Sequence, residues 1–401
     1  MPAGSTRTQA DHMHTSARRA PAAGRGHNFP VFARRAIFQL HLWVGLASGL
    51  YIAVVCLTGS ALVFRLDMQR AIYPALFSPR STGPLAHPGD IMDSVARAFP
   101  ADRVSGVDAP TTGRPTYLVY ASLGDRFRTL LLDPVSGDLL GELNDDSFVR
   151  TLQDIHFDLL AGRRGRIVNG IGALLLLTMC VTGLLIWWPG ASGWWRGVRV
   201  DFSRPWRRVI WDLHNAAGFW TVTLIAMWAV TGVYFVFPSA FRSVVNAVSP
   251  LTVVQVPQSR PGHGAPRDWR TLIDTARAHA PSGHHVARIV TPATGTAPFL
   301  VMFAAASPTP PGARLTPVYL DQYTGQVLAS PAPSPSLGDA IMAWVVPLHV
   351  GGFSSTGLRL LWALLGLAPP LLFVTGFVMW WTRVVRPRRR SALWNHVGLE
   401  R

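Results

Sequence analysis

The sequence predicts a membrane α-helical protein: four transmembrane helices from a duplicated two-helix unit, carrying two small α+β domains outside the cytoplasm. Three observations predict it. Four apolar runs, near 37–64, 167–188, 209–237 and 357–381, are long enough to cross a hydrocarbon core that needs ~20 apolar residues. Two residue patterns each occur twice at fixed offsets. The basic residues gather where the runs begin and end on one side.

The first pattern is Arg34, Arg35, His41, Gly45, Thr58-Gly59 and Phe64. It returns as Arg207, Arg208, His214, Gly218, Thr231-Gly232 and Phe237, always at one offset (214 − 41 equals 231 − 58). The second is His156, Arg166, Thr182-Gly183 and Trp187-Trp188. It returns as His349, Arg359, Thr375-Gly376 and Trp380-Trp381, again at one offset (349 − 156 equals 375 − 182). Fixed-period self-similarity is the signature of a repeated structural unit. The order is A-B-A-B, with one histidine for each helix.

All 37 basic residues are arginine, and 1–36, 189–210 and 382–401 are rich in them and poor in acids. The positive-inside rule assigns these segments to the cytoplasm and 65–155 and 238–348 to the outside. Trp187-Trp188, Trp194-Trp195, Trp206, Trp211 and Trp380-Trp381 crowd the arginine-rich side, as an interfacial aromatic belt does. The net charge of +16 therefore reflects topology, not nucleic-acid binding. Cys56 and Cys180 sit in apolar runs, which excludes a disulfide framework, and without a C-x-x-C-H motif covalent haem attachment is excluded.

Taken in order, 1–34 is a disordered cytoplasmic arm, with His12, His14 and His27 as solvated bystanders. The first helix occupies 35–65. Its apolar run is too long for a signal-peptide core, so it is read as uncleaved. Residues 66–155 form the first outer domain. It opens with a proline-rich linker to residue 89, then a helix from Asp90 to Phe99 and strands at 102–108, 115–122 and 127–133. A turn follows over Asp133–Asp138, where Pro and Gly suit turn geometry. The second helix with its outer extension is 156–189, the cytoplasmic loop 190–208 and the third helix 209–238. The second outer domain, 239–348, repeats the plan: a helix at 268–280, strands at 285–291, 298–304 and 315–321, and a turn at Asp321–Gly325. The fourth helix with its extension is 349–382, and 383–401 is a basic tail containing His396, also read as solvated.

This arrangement resembles the PepSY-associated transmembrane helix family. The matching features are His-x-x-x-Gly with a later Thr-Gly-x-x-x-x-Phe, the Asp-x-x-x-Gly turn, and a returning helix that ends in Thr-Gly-x-x-x-Trp-Trp. They cover roughly residues 30–385. The resemblance implies PepSY-like outer domains in a bacterial inner-membrane protein. It also implies one of two functions. Some such proteins are haem-binding reductases of ferric siderophores; other PepSY-containing proteins are linked to peptidase inhibition.

The histidines carry the chemistry. His41 and His214 start helices that run outward, so both lie near the cytoplasmic face; His156 and His349 precede helices that run inward, so both lie near the outer face. Antiparallel packing pairs them into two bis-histidine sites, suited to the axial positions of two b-type haems. Polar side chains in a bilayer are costly and functional by default. Gly45 and Gly218, one turn after their histidines on the same face, leave room for a flat macrocycle. Thr58 follows His41 by ~26 Å along the helix. The Thr-Gly pairs of helices one and three therefore reach the depth of the outer histidines, and those of two and four reach the inner pair. There they either border a cofactor or pack as small residues. Arg166 and Arg359, at matching positions after their histidines, either hold propionates or anchor the helix; the same pair of roles applies to Arg34/Arg35 and Arg207/Arg208.

Zinc is the rival metal, and it lacks a third and fourth ligand at fixed spacing. His263, His279, His284 and His285 are read as surface residues of the second outer domain. No nucleotide-binding motif is present, so electrons come from a membrane quinol or a separate cytosolic flavoprotein. The expected activity is electron transfer across the membrane to an outer acceptor, by resemblance ferric iron in a siderophore. The alternatives are a non-enzymatic PepSY regulator or peptidase-binding protein on a membrane anchor, and a haem subunit serving another periplasmic reductase.

Overall fold

The structure is a computed structural model describing residues 31–124, 126–143, 147–190, 193–252, 256–261, 264–305, 315–329, 336–353 and 355–385. Four helical segments, Phe32–Leu62, Gly162–Trp187, Trp206–Val236 and Thr356–Val385, are long and apolar enough to cross a membrane. Helix α1 (Val31–Leu62) packs on α5 (Gly162–Trp187) and on the last membrane segment, and α7 (Trp206–Val236) packs on the same two partners. A ring of four results, in which α1 and α7 are both flanked by the other two. A short helix, α6 (Trp194–Gly197), lies between α5 and α7.

The fourth segment is not one continuous helix. It comprises α11 (Thr356–Leu365), a break at Gly366 and Leu367, α12 (Ala368–Trp380) and a π-helical turn, Trp381–Val385. Pro369 and Pro370 fall in the first turn of α12, where the missing N–H leaves nothing unsatisfied. A side chain at Gly366 would collide with Ser60 of α1, so the break lies at a close approach of two helices.

Past the membrane segments of α1 and α7 the chain continues in further helices. Residues 65–89, expected as linker, contain α2 (Arg65–Ile72) and a 3-10 turn, Pro74–Leu76; after α7 comes α8 (Pro238–Val248). Then follow α3 (Pro88–Ala98) and strands β1 (Arg103–Asp108), β2 (Tyr117–Leu123), β3 (Arg126–Leu132) and β4 (Leu139–Glu142). The second set is α9 (Trp269–Ala278), β5 (His285–Val290), β6 (Phe299–Ala304), β7 (Thr316–Leu320) and β8 (Val327–Ala329). The short strands β4 and β8 were not expected from the sequence.

The two α+β units expected as separate domains share one sheet. Its order is β4-β3-β2-β1-β5-β6-β7-β8, antiparallel throughout. At the seam Gly106, Val107 and Asp108 face Val290, Ile289 and Arg288. The physical reason is that β1 and β5 would each be an edge strand with unpaired N–H and C=O groups, and pairing them satisfies both. A Cβ at Gly106 would lie 2.9 Å from the Ile289 carbonyl oxygen, so glycine permits the approach. Arg288 donates to Asp108 at 2.5 and 2.8 Å across the seam. One apolar core spans both halves, with Ile91, Leu272 and Ile273 of the helices over Val107, Val119, Ile289 and Val301 of the sheet. On the opposite face, Phe77, Leu131 and Leu140 pack with Leu66 and Tyr73, which ties the extension of α1 to the sheet.

The two Asp-x-x-x-Gly turns share one bonding pattern. The Asp133 carboxylate accepts from the N–H groups of Arg80, Val135 and Ser136 at 2.6, 2.9 and 3.0 Å, and Gly137 N–H donates to the Asp133 carbonyl. Asp321 accepts from Arg260, Tyr323 and Thr324 at 2.8, 2.9 and 3.0 Å, and Gly325 N–H donates to its carbonyl. Gly137 and Gly325 both have φ +75, a left-handed conformation that favours glycine.

His156 and His349 do not belong to membrane-crossing helices. They lie on α4 (Phe148–Asp158) and α10 (Leu337–Val350), capped by Ser147 and Ser336 respectively. The chain turns from α4 to α5 through Leu159 and Leu160, at φ 56 and 59, and leaves α10 through Gly351 at φ 66. Each of these two histidines thus sits on its own short helix, folded back against the bundle: α4 packs on α1 and α5, α10 on α7.

Candidate functional site

The four histidines form two pairs. His41 of α1 and His214 of α7 have ring centroids 6.5 Å apart with planes at 89°. His156 of α4 and His349 of α10 have centroids 6.1 Å apart with planes at 52°. These are the pairs expected from the repeat.

Each imidazole is held by the threonine of one Thr-Gly pair. His41 Nδ1 lies 3.0 Å from Thr182 Oγ1, His214 Nδ1 2.9 Å from Thr375 Oγ1, and His349 Nδ1 2.8 Å from Thr231 Oγ1. His156 Nδ1 lies 3.4 Å from Thr58 Oγ1 and 2.8 Å from the Val55 carbonyl oxygen. The depth relation expected from the helix rise is met at all four positions.

The direction of these bonds follows from proton bookkeeping. A threonine hydroxyl has one hydrogen. Thr58, Thr182, Thr231 and Thr375 each donate it to a carbonyl one turn back, at 3.0, 2.7, 2.8 and 2.8 Å (Val54, Thr178, Met227 and Leu371). Each Thr oxygen is then an acceptor, so the facing Nδ1 carries the proton. Val55 can only accept, which gives the same tautomer at His156. Nε2 is left as the nitrogen with a free lone pair in every ring, the state in which imidazole ligates a metal.

The glycine of each pair makes room for the ring itself. A Cβ at Gly59 would stand 2.6 Å from His156 Cε1, at Gly183 3.0 Å from His41 Cε1, at Gly376 3.4 Å from His214 Cε1 and at Gly232 3.8 Å from His349 Cε1. The Thr-Gly pairs therefore border the histidine rings, where the sequence reading had them either bordering a cofactor or packing as small residues. Gly45 and Gly218 do not open an empty slot: Met179 Cε lies 2.9 Å from a Cβ position at Gly45, and Leu372 Cδ2 lies 3.6 Å from one at Gly218.

The matched arginines part company. Arg359 donates to the Val63 carbonyl at 3.0 Å and to the Asp67 carboxylate, with its guanidinium 4.7 Å from the Phe64 ring centre. It clamps the start of the fourth segment to the end of the first. Arg166 is exposed and makes no ion pair among the described residues. Sequence reasoning missed Asn169 and Tyr51. Tyr51 OH donates to Asn169 Oδ1 at 2.9 Å, and Asn169 Nδ2 donates to the His156 carbonyl at 2.8 Å. In the other half Trp362, the counterpart of Asn169 under the second offset, donates to the Leu348 carbonyl at 3.1 Å. Both side chains steady a histidine-bearing helix, and the offset was the available signal.

Two pieces of this structure bear on whether a haem fits. A metal–imidazole bond of about 2.0–2.1 Å, plus about 1.1 Å to the ring centre, sets two opposed ligand rings about 6.3 Å apart; the observed pairs stand at 6.5 and 6.1 Å. Among the described residues, three buried side-chain polar atoms lack a partner. They are Ser60 Oγ, Thr116 Oγ1 and Asn215 Nδ2, and Ser60 faces the helix break at Gly366. The donor set and spacing fit a group with two axial positions. Among the described residues there is no cluster of three or more His, Cys, Asp or Glu that could hold a metal ion. Among the described residues His279 and His284 bond to the nearby carbonyls of Thr275 and Ser282, and His285 is exposed at the start of β5. His12, His14, His27, His263 and His396 lie outside the described residues.

The family described as PepSY-associated TM region matches residues 38–383. The chain belongs to this family of membrane proteins. No curated protein matches it.

Proposed function

We propose that this PepSY-associated membrane protein is a two-haem electron-transfer protein of the bacterial inner membrane. On this reading both termini are cytoplasmic, the eight-stranded domain is periplasmic, and the protein arose by duplication of a two-helix unit with its α+β module. The observation that carries the proposal is the fourfold arrangement of a paired imidazole with Nδ1 committed to a threonine hydroxyl or, at His156, to the Val55 carbonyl, and Nε2 free. His41 and His214 would hold one b-type haem, and His156 and His349 the other. Held by these histidine pairs, haem would supply one-electron chemistry.

The residues of the chain supply the rest. The threonines fix the tautomer and aim the rings; the glycines let the rings approach α1, α5, α7 and α12. The α4 and α10 helices carry the second site to the outer ends of the membrane segments, beside the sheet. Two sites at two depths divide a ~30 Å barrier into shorter steps. Electrons would enter on the arginine-rich side from a quinol or a cytosolic flavoprotein. They would leave at the outer site, where the acceptor is ferric iron chelated by a siderophore. Each iron takes one electron and becomes ferrous, and the weakened chelate releases it.

The test is a dithionite-reduced minus oxidised spectrum of the purified full chain, with haem counted per chain. A low-spin b-type signal at two haems per chain is expected. One haem in wild type, absent from His156→Ala and retained in His41→Ala, would leave only the outer site. No haem after expression with ample supply would overturn the proposal in favour of a membrane-anchored regulator.

A further inference from the structure

An open cavity of ≈ 470 Å3 lies at the arginine-rich end of the bundle, between the first turns of α7 and the π-helical turn that ends α12. Arg207, Arg208, Trp211, Met379, Thr382 and Arg383 line it. Three of these six side chains are guanidinium groups. Arg208 is shared with Asp212 at 3.0 Å and lies over the Trp211 ring. Arg207 lies 5.6 Å from the Trp206 ring centre. Arg383 has no carboxylate partner among the described residues. No side chain caps the start of α7, so its first N–H groups and the positive end of its dipole add to the field.

We infer that this cavity binds the phosphate headgroup of an anionic phospholipid. A guanidinium pair offers two parallel donors to a phosphate. Basic pockets between membrane helices on the cytoplasmic side recognise such headgroups. The two apolar walls, Trp211 and Met379, face the depth at which a glycerol backbone meets its acyl chains, and tryptophan prefers that level. The volume far exceeds the roughly 30 Å3 of a water molecule, so a phosphodiester with its glycerol is accommodated. The inference concerns α7 and α12 alone and does not depend on haem.

Native mass spectrometry of the full-length protein in mixed micelles of phosphatidylglycerol and phosphatidylcholine tests it, with thermal midpoints measured beside it. Retention of phosphatidylglycerol over phosphatidylcholine is expected. Each arginine near such a surface is worth about a fivefold change in binding, so Arg207→Gln with Arg383→Gln should bind the anionic lipid about thirtyfold more weakly. Arg166→Gln, an exposed arginine elsewhere, should bind as wild type. Equal retention of the two lipids, or undiminished retention by the double variant, would overturn the inference. So would displacement of the lipid by millimolar inorganic phosphate, which would make this a site for free phosphate. Should the double variant fail to fold, the wild-type lipid preference and the phosphate competition still decide.

Discussion

Four alanine substitutions at repeat-related glycines should give four different results. All four glycines lie within helices, so each Gly→Ala gains roughly 1 kcal/mol of helix propensity. What differs is the space. Carbon atoms rest about 3.5–4.0 Å apart. At Gly232 the new Cβ would meet His349 Cε1 at 3.8 Å and fits; at Gly376 the distance to His214 is 3.4 Å, at Gly183 to His41 3.0 Å, and at Gly59 to His156 2.6 Å. His156 would have to retreat about 1 Å to restore contact distance. Its Nδ1 is fixed to Val55 and its helix to Asn169, so it has little slack. Overpacking of this kind costs about 1–3 kcal/mol. Gly232→Ala should therefore be neutral or stabilising by up to ~1 kcal/mol, and Gly59→Ala destabilising by about 1–2 kcal/mol, with Gly376 and Gly183 in between. Thermal unfolding of the detergent-purified variants reads the order, and haem content reads it again at the level of the site. If Gly232→Ala were as harmful as Gly59→Ala, or all four equal, ring contact at these glycines would not be what the Thr-Gly pairs provide.

Thr182→Val and Thr375→Val each remove the hydroxyl that accepts from a histidine Nδ1–H. Each should cost about 1–3 kcal/mol and, on the proposed function, shift the midpoint potential of the haem proposed at His41 and His214 in a spectroelectrochemical titration, whereas Thr→Ser should restore both. Arg359→Gln should destabilise by about 1–2 kcal/mol through the lost contacts to Asp67 and Val63, and Arg166→Gln should not; chemical denaturation compares them, and equal effects would contradict the asymmetry. Burial of Asp133 alone would raise its pKa, but the N–H donors of Ser136, Val135, Arg80 and Ser81 outweigh burial and bring it to about 2. A depressed folded-state pKa gives stability that is complete above the unfolded value near 3.9 and is lost as pH falls through 2, on the order of 2 kcal/mol in all. Asp133→Asn should flatten the stability of the sheet domain between pH 4 and 2; an unchanged acid limb would refute this account.

The sequence shows the histidine pairs because a repeat repeats its chemistry. His41 with His214, and His156 with His349, are each other's counterparts under a single offset, and the helix rise then puts Thr58 and Thr231 at the right depth. It does not show the helix that owns each outer histidine. The break between α4 and α5 runs through Leu159 and Leu160, residues that signal no turn yet adopt the left-handed region, with their N–H groups bonded back to the Ile155 and Asp154 carbonyls of α4. The seam of the sheet is equally silent: β1 meets β5 through backbone groups, which every residue carries. The split fate of Arg166 and Arg359 depends on Asp67, whose counterpart under the first offset is not an acid but Ala240.

The seam has a consequence for synthesis. Val107 pairs with Ile289, so nearly half of the chain is made between the two. At about 5–20 residues per second, the flank of β1 waits on the order of ten to forty seconds for its partner, while two further membrane segments are inserted. During that interval the first half presents a bare row of hydrogen-bonding groups beside its apolar core. Nascent chains on one messenger each pass through this stage, and a ribosome that stalls before β5 leaves a half-sheet able to join its like. The shared sheet closes only after the third membrane helix has been made, because β5 follows α7 in the chain.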